Sequence, residues 1–222
     1  SLKRGFHEVL YKHCISISYL LQLDTFTMTN KLILVLACLT SLICSTMCLS
    51  KGGESYVRDA CSVTRYQDLC LHSLASFSRT AKDNPSKWAR AGVSVTISQA
   101  KGVAQSLLKL RKNNFLKGKG RVAILDCVDC LQDALDNLHN SLGVLRKLSS
   151  QTFNDQMGDV TTWLSAALTD EDTCLDGLED KKRKQVKLLL NKVTNVSYMT
   201  NNALALVNKL ATTGPQCLEN SW

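Results

Sequence analysis

The feature that most constrains the fold of this 222-residue chain is a repeated spacing of apolar residues. In four stretches, apolar side chains return at steps of three and four, which places them along one side of an α-helix. The four stripes comprise Val93, Ile97, Ala100, Ala104 and Leu107; Ile124, Val128, Leu131, Leu135, Leu138, Leu142 and Leu145; Met157, Val160, Leu164, Ala167, Cys174 and Leu178; and Val186, Leu189, Val193, Val196, Ala203, Val207 and Leu210. Four such helices on short connections bury their stripes most simply against one another. The chain is therefore predicted to be all-α, with an up-down-up-down four-helix bundle over residues 84–212.

Polar and glycine-containing segments separate the four stripes. Residues 84–86, Asn-Pro-Ser, predict a capped start for the first bundle helix, because asparagine and proline are favoured at the first positions of helices. Two glycines are expected to end that helix within residues 113–120, and the second helix is predicted from about Arg121 to Leu148. The third helix is predicted to be interrupted by a polar turn from Thr169 to Asp172.

Residues 54–80 precede the bundle and are predicted to form a helical hairpin that turns near residues 62–64. Cys61 and Cys70 lie on either side of this turn, close enough in sequence for a disulfide to close the hairpin. Six cysteines follow residue 50, and the other four are Cys127, Cys130, Cys174 and Cys217. Because six cysteines allow about fifteen pairings, the residues alone leave the remaining pairs open.

The first fifty residues are expected to lie outside the fold. Residues 1–27 are interpreted as a leader without structure. From Met28 onward, one lysine precedes an apolar run of 18 residues at 32–49 and small residues follow, a pattern typical of a secretory signal peptide over residues 28–50. The alternative is a transmembrane anchor, since a run of this length can just span a bilayer. The Cys, Ser and Thr residues within the run favour the signal peptide, and export would permit disulfides.

Residues typical of enzyme active sites are sparse after residue 50. Cys127 and Cys130 form a CxxC motif, but it lies inside a predicted helix, whereas redox motifs of this kind open a helix after a strand. A zinc site needs about four ligands, and the only histidines in this region, His72 and His139, are far apart in sequence. No nucleophile elbow or phosphate-binding glycine loop occurs. No catalytic residue, metal site or cofactor is therefore predicted.

Charge indicates what the surface could bind. After residue 50 there are 23 Lys and Arg residues against 17 Asp and Glu residues, a balance that favours weak association with anionic polymers. Because the basic residues are scattered, nucleic acid is not an expected partner. Asp126, Asp129, Asp133 and Asp136 fall on one side of the second helix, opposite its apolar stripe. That strip is either a solvated face or a surface that binds a partner.

Several of these segments together resemble the plant invertase/pectin methylesterase inhibitor family. The resemblance rests on WLSAALTDEDTCLDG (163–177), ILDCVDCLQDALDNL (124–138), the early Cys61 and Cys70, and NNALALVNKL (201–210). It covers about residues 54–211. The segment TDEDTCLDG after WLSAAL is most similar to the pectin methylesterase inhibitor branch.

The resemblance implies a fold, a set of disulfides and a function. It implies a disulfide-stapled four-helix bundle with an N-terminal hairpin, the pairs Cys61–Cys70 and Cys127–Cys174, and no catalytic activity. It also implies a secreted, cell-wall inhibitor that blocks the pectin-binding cleft of a pectin methylesterase in a 1:1 complex. The residues that match the family's partner-binding positions are Asp129, Asp133, Asp136, Thr173 and Asp176.

Alternatives remain open at this point. The target could be a cell-wall or vacuolar invertase instead of an esterase. The same domain also occurs as the pro-region of pectin methylesterases, which would require a catalytic β-helix beyond residue 211. Cys130 and Cys217 fall outside the family's disulfides and could pair, stay reduced or link two chains. Asn195 begins an N-glycosylation sequon, although the next residue lies on an apolar stripe.

Overall fold

Helices account for most of the part of the chain that the computed structural model describes, which comprises residues 54–112, 118–178 and 184–218. The predicted leader and signal peptide lie outside these residues. In chain order the helices are α1 (54–61), α2 (Gln67–Leu74), α3 (Ser78–Ala81), α4 (Pro85–Lys112), α5 (Lys119–Leu145), α6 (Phe153–Leu178) and α7 (Lys184–Thr213). Short 3-10 turns cover Ala75–Phe77 and Pro215–Leu218. Within these ranges, none of the helices is long and apolar enough to cross a membrane.

The four long helices form a ring in chain order. Helix α4 packs against α5 and α7, and α6 packs against the same two helices. Consecutive helices joined by short connections run antiparallel, so this arrangement is the predicted up-down-up-down bundle. The apolar stripes meet at its centre, where the side chains of Leu107, Leu131, Leu164 and Val193 are fully buried. The all-α bundle predicted from the sequence is thereby confirmed.

Some details of the predicted helices were wrong. Helix α6 is continuous from Phe153 to Leu178, without the expected turn at residues 169–172. Its threonines stay within the helix, because the hydroxyls of Thr169 and Thr173 each donate to the carbonyl oxygen four residues earlier. Helix α5 ends at Leu145 rather than Leu148. The periodicity also assigned Ala104 and Leu135 to the buried stripes, but both are only half-buried. Their neighbours Val103 and Ala134 are buried instead.

The predicted cap at the start of the bundle is confirmed. The side-chain oxygen Oδ1 of Asn84 accepts a hydrogen bond from the backbone N–H of Lys87 at 3.0 Å. Pro85 occupies the first helical position, where its missing N–H leaves no hydrogen bond unmade. Together they fix the point at which the chain leaves the hairpin region and enters α4.

The N-terminal hairpin is closed by a disulfide and is attached to the bundle by an apolar cluster and a backbone clamp. Cys61 and Cys70 form a disulfide between α1 and α2, with their Cα atoms 5.8 Å apart. The indole of Trp88 is buried in the apolar cluster that α1, α2 and α4 share. Asn202 of α7 accepts from the backbone N–H of Tyr66 at 3.0 Å and donates to its carbonyl at 2.9 Å. The ring of Tyr66 also stacks on Tyr198, with ring centroids 3.8 Å apart.

Candidate interaction surface

The two helices that carry the predicted partner-binding residues are neighbours. Helices α5 and α6 pack against each other more extensively than any other pair in the bundle. Cys127 of α5 and Cys174 of α6 form a disulfide with their Cα atoms 4.3 Å apart, one of the two pairs that the family resemblance implies. This bond fixes the register of the two helices. It therefore determines which residues of α6 lie beside which residues of α5.

The four aspartates of α5 form the exposed part of this surface. Asp126, Asp129, Asp133 and Asp136 are all exposed, whereas Ile124, Leu131 and Leu138 on the opposite side are buried. With about 100° between successive residues, Asp126 and Asp133 lie on the side nearer α6, and Asp129 and Asp136 point further outward. The strip expected from the sequence is therefore solvent-accessible along about three helical turns.

Helix α6 continues the same surface with three polar residues. Thr173 and Asp176 are exposed, and Asp170 is half-buried against α5. The side-chain amide of Asn137 on α5 donates to Asp170 Oδ2 at 3.2 Å, which joins the two helices across the groove between them. We call the seven residues the acidic face; they are Asp126, Asp129, Asp133, Asp136, Asp170, Thr173 and Asp176. Asp170 and its partner Asn137 were not predicted, because no local pattern shows which side chains meet across two helices.

The negative charge of this face is concentrated where α5 meets α6. Partial burial raises the pKa of the Asp170 carboxyl, the hydrogen bond from Asn137 lowers it, and the nearby Asp133 raises it. Cys130 lies in the same region and does not belong to a disulfide. Burial raises the pKa of the Cys130 thiol, and the charges of Asp170, Asp133 and Asp126 raise it further. Cys130 is therefore held in the unreactive thiol form, unlike the cysteines of redox enzymes.

A buried carboxyl, which was not predicted from the sequence, lies beneath this surface. Glu171 is fully buried between α6 and α7, and its Oε1 lies 2.7 Å from the hydroxyl of Thr200. Its position was readable, because Glu171 follows Ala167 by four residues and precedes Cys174 by three on the buried stripe. An acidic residue on such a stripe was instead interpreted as part of a turn. No function in binding follows from its position, since it has no exposed surface.

The described residues contain no group of three or more His, Cys, Asp or Glu residues placed to bind a metal ion. The sequon residue Asn195 is half-buried on α7 and lines an open groove between α4 and α7, and the following Val196 is fully buried. The acidic face is an exposed, charged surface on two packed helices. Such a surface can recognise a macromolecule by charge complementarity.

Comparison with known proteins identifies the fold family. Residues 55–206 match the family described as plant invertase/pectin methylesterase inhibitor. The chain belongs to this family. Pectinesterase inhibitor 6 from Arabidopsis thaliana is 47% identical over 163 residues, covering 72% of this chain and 78% of that protein. Pectinesterase inhibitor 3 from the same plant is 36% identical over 165 residues, covering 72% and 80%.

Solved structures agree with this assignment at the level of the fold. The crystal structure of mutant form A of a pectin methylesterase inhibitor from Arabidopsis superposes with a TM-score of 0.56 at 22% identity, covering 67% of this chain and 92% of that chain. The family resemblance read from the sequence is confirmed.

Proposed function

We propose that this protein is a secreted inhibitor of pectin methylesterase and not an enzyme. The observation that carries the proposal is its 47% identity to a pectinesterase inhibitor that the chain covers over 78% of its length. The surface is consistent with inhibition by occlusion, since the described residues present an exposed acidic face on two packed helices. Secretion into the cell wall follows from the predicted signal peptide at residues 28–50.

The acidic face is the proposed contact with the enzyme. Asp129, Asp133 and Asp136 on α5 and Thr173 and Asp176 on α6 are all exposed, and the Cys127–Cys174 disulfide holds their two helices together. A rigid surface keeps the entropic cost of binding low, because few groups must be ordered on association. In a 1:1 complex the bundle would cover the cleft in which the esterase binds methyl-esterified pectin. Inhibition then needs no reaction on the inhibitor.

Removing the carboxylates of α5 should weaken inhibition. The inhibition constant of the variant D129A/D133A/D136A for pectin methylesterase is expected to be at least about tenfold higher, because three carboxylates that would contact the enzyme are removed. Alanine is the strongest helix former, so α5 should fold normally. The measurement is the inhibition constant, with circular dichroism to verify folding.

A charge-matched control distinguishes an effect of the acidic face from an effect of the protein's net charge. E54A/D68A/D159A also removes three exposed carboxylates, but from other parts of the surface. It should inhibit like the unmodified protein. Equal weakening by both triple variants, or by neither, would exclude the acidic face as the contact.

Assays of one preparation against both pectin methylesterase and invertase test the target, and inhibition of invertase alone would refute the proposal.

The remaining features support an inhibitor that is monomeric and associates weakly with an anionic cell-wall polymer. Cys217 is buried and Cys130 is half-buried with a raised pKa, so a disulfide-linked dimer through either residue is disfavoured. The excess of 23 Lys and Arg residues over 17 Asp and Glu residues after residue 50 supports a weak association with an anionic cell-wall polymer. Glycosylation at Asn195 would place a glycan at the groove between α4 and α7, away from the acidic face.

A further inference from the structure

A basic cleft lies where the hairpin region joins the bundle. It has a volume of about 480 Å³ and is formed by α3, the α3–α4 turn, the start of α4 and the final 3-10 turn. Sites for small molecules typically have about 300–1,000 Å³, so the cleft is large enough for a ligand of that size. Its lining includes three cationic side chains, Arg79, Lys82 and Lys87, against one carboxylate, Asp83.

The three cations of this cleft form no ion pair with the residues that the structure describes. Within the described ranges the only ion pair is Lys209 with Asp59, at 3.1 Å, so Arg79, Lys82 and Lys87 have no acidic partner there. The start of the 28-residue helix α4 lies in the same cleft and adds the positive end of its dipole. The combined field favours an anion.

The backbone of Lys82 supports a functional role for this residue. Its φ is 50°, in the region that favours glycine, and it is the only non-glycine residue with positive φ in the described part of the chain. Holding a side chain there costs on the order of 1 kcal/mol or more. The carbonyl of Lys82 accepts a hydrogen bond from the buried Trp88 indole at 2.7 Å, which fixes the turn in place. A cationic side chain is therefore kept at a position where glycine would relieve strain.

We propose that this cleft binds the carboxylate groups of a polyuronate chain, namely de-esterified pectin. The choice of ligand rests on the proposed function, because a pectin methylesterase converts the methyl esters of this polymer into carboxylates. The guanidinium of Arg79 can bind a carboxylate through two parallel hydrogen bonds. Lys82 and Lys87 supply further charge. Asp83 and Oγ1 of Thr80, whose hydrogen is donated to the Phe77 carbonyl at 2.9 Å, can accept hydrogen bonds from sugar hydroxyls. Methyl-esterified pectin lacks these charges and would not be held.

The cleft and the acidic face lie on separate parts of the bundle. The cleft is at the start of α4 and next to the turn that follows α7. The acidic face lies along the middle of α5 and the last third of α6, so in an antiparallel ring it extends from the middle of the bundle towards the other end. The two surfaces do not overlap, so one molecule could hold the polymer and the enzyme together. Such a protein would accumulate where esterase has already acted.

The test measures binding of purified protein to an oligogalacturonate by calorimetry, without any enzyme. The variant R79Q/K82Q/K87Q should bind about tenfold or more weakly, because it loses the whole cationic lining. The control K101Q/K109Q/K187Q removes three exposed lysines from α4 and α7 outside the cleft and should bind within about twofold of the unmodified protein. The fully methyl-esterified oligomer should not bind.

Each contrary outcome would overturn the cleft as the binding site. Equal loss in the two triple variants would assign binding to net charge, and no binding by the unmodified protein would remove the polymer as a ligand. The failure of the proposed function is distinguishable, because it appears as unchanged esterase activity in a separate assay. In that assay the cleft variant should inhibit the esterase on a short soluble substrate as strongly as the unmodified protein does.

Discussion

The free energy of unfolding should fall by several kcal/mol between pH 5 and pH 8, and Glu171→Gln should remove most of that fall. The reason is the position of Glu171 in the core. Burial raises its pKa to about 8, with smaller contributions from Asp172 and Asp170, and the hydrogen bond with Thr200 opposes them. The folded protein therefore holds this carboxyl protonated over most of that range.

The hydrogen bonds around Glu171 are consistent with a protonated carboxyl. The Thr200 hydroxyl lies 2.7 Å from Glu171 Oε1 and 3.1 Å from the carbonyl oxygen of Val196. The Thr200 hydroxyl is thus shared between two acceptors; a protonated Glu171 can instead donate to Thr200 Oγ1 and leave the Thr200 hydrogen to the Val196 carbonyl. Glu171 Oε2 has no hydrogen-bond partner in the described residues. An ionised carboxylate would leave that buried oxygen charged and unpaired, at a much greater cost.

The direction of the effect follows from the two pKa values. In the unfolded chain Glu171 titrates near its ordinary value of 4.5, and in the folded protein near 8. Because the folded pKa is the higher one, the stabilisation is complete below about pH 4.5 and is lost as the pH rises towards 8. A difference of this size corresponds to on the order of 5 kcal/mol.

Urea unfolding followed by circular dichroism at pH 5, 6.5 and 8 measures this effect. Glutamine keeps the shape and cannot ionise, so Glu171→Gln should show a nearly flat pH profile. Asp159→Asn is the control, because Asp159 is an exposed carboxyl on the same helix and is not one of the groups that shift the pKa of Glu171. It should keep the slope of the unmodified protein. The same slope in Glu171→Gln would show that Glu171 is not the group responsible.

The sequence was sufficient to predict the four-helix bundle but not the polar contacts between its elements. Apolar stripes report burial directly, so the four long helices and the cap at Asn84 could be predicted from local spacing. The pairs Asn137–Asp170 and Tyr66–Asn202 join residues 33 and 136 positions apart, and no local pattern encodes such partners. The burial of Glu171 was missed for a different reason. Polar residues are normally exposed, and only its partner on another helix explains its burial.

The acidic face was predictable in part, for the same physical reasons. Helical spacing places the aspartates of α5 on one side, since a periodicity within one helix needs no tertiary information. Which residues of α6 lie beside them depends on the helix register. The Cys127–Cys174 bond sets that register, and spacing alone did not choose this pair from the alternatives. Only the family resemblance pointed to it.

Removing the Cys127–Cys174 disulfide should destabilise the protein more than removing Cys61–Cys70. The first bond closes a loop with a sequence separation of 47 and the second one of 9. On the chain-entropy model, these constraints on the unfolded state correspond to about 4 and about 2–3 kcal/mol respectively. The variants C127A/C174A and C61A/C70A, unfolded in urea at one pH, give the two costs directly.

The two variants should also differ in inhibition. C127A/C174A frees the register of α5 and α6, which carry the acidic face, so its inhibition constant should rise even where the protein remains folded. C61A/C70A leaves those helices untouched, and the clamp between Tyr66 and Asn202 still holds the hairpin on α7. Its inhibition should be unchanged. A larger loss of stability in C61A/C70A than in C127A/C174A would show that loop closure is not the main contribution of these bonds to stability. Strong inhibition by folded C127A/C174A would show that the acidic face keeps its shape without the Cys127–Cys174 bond.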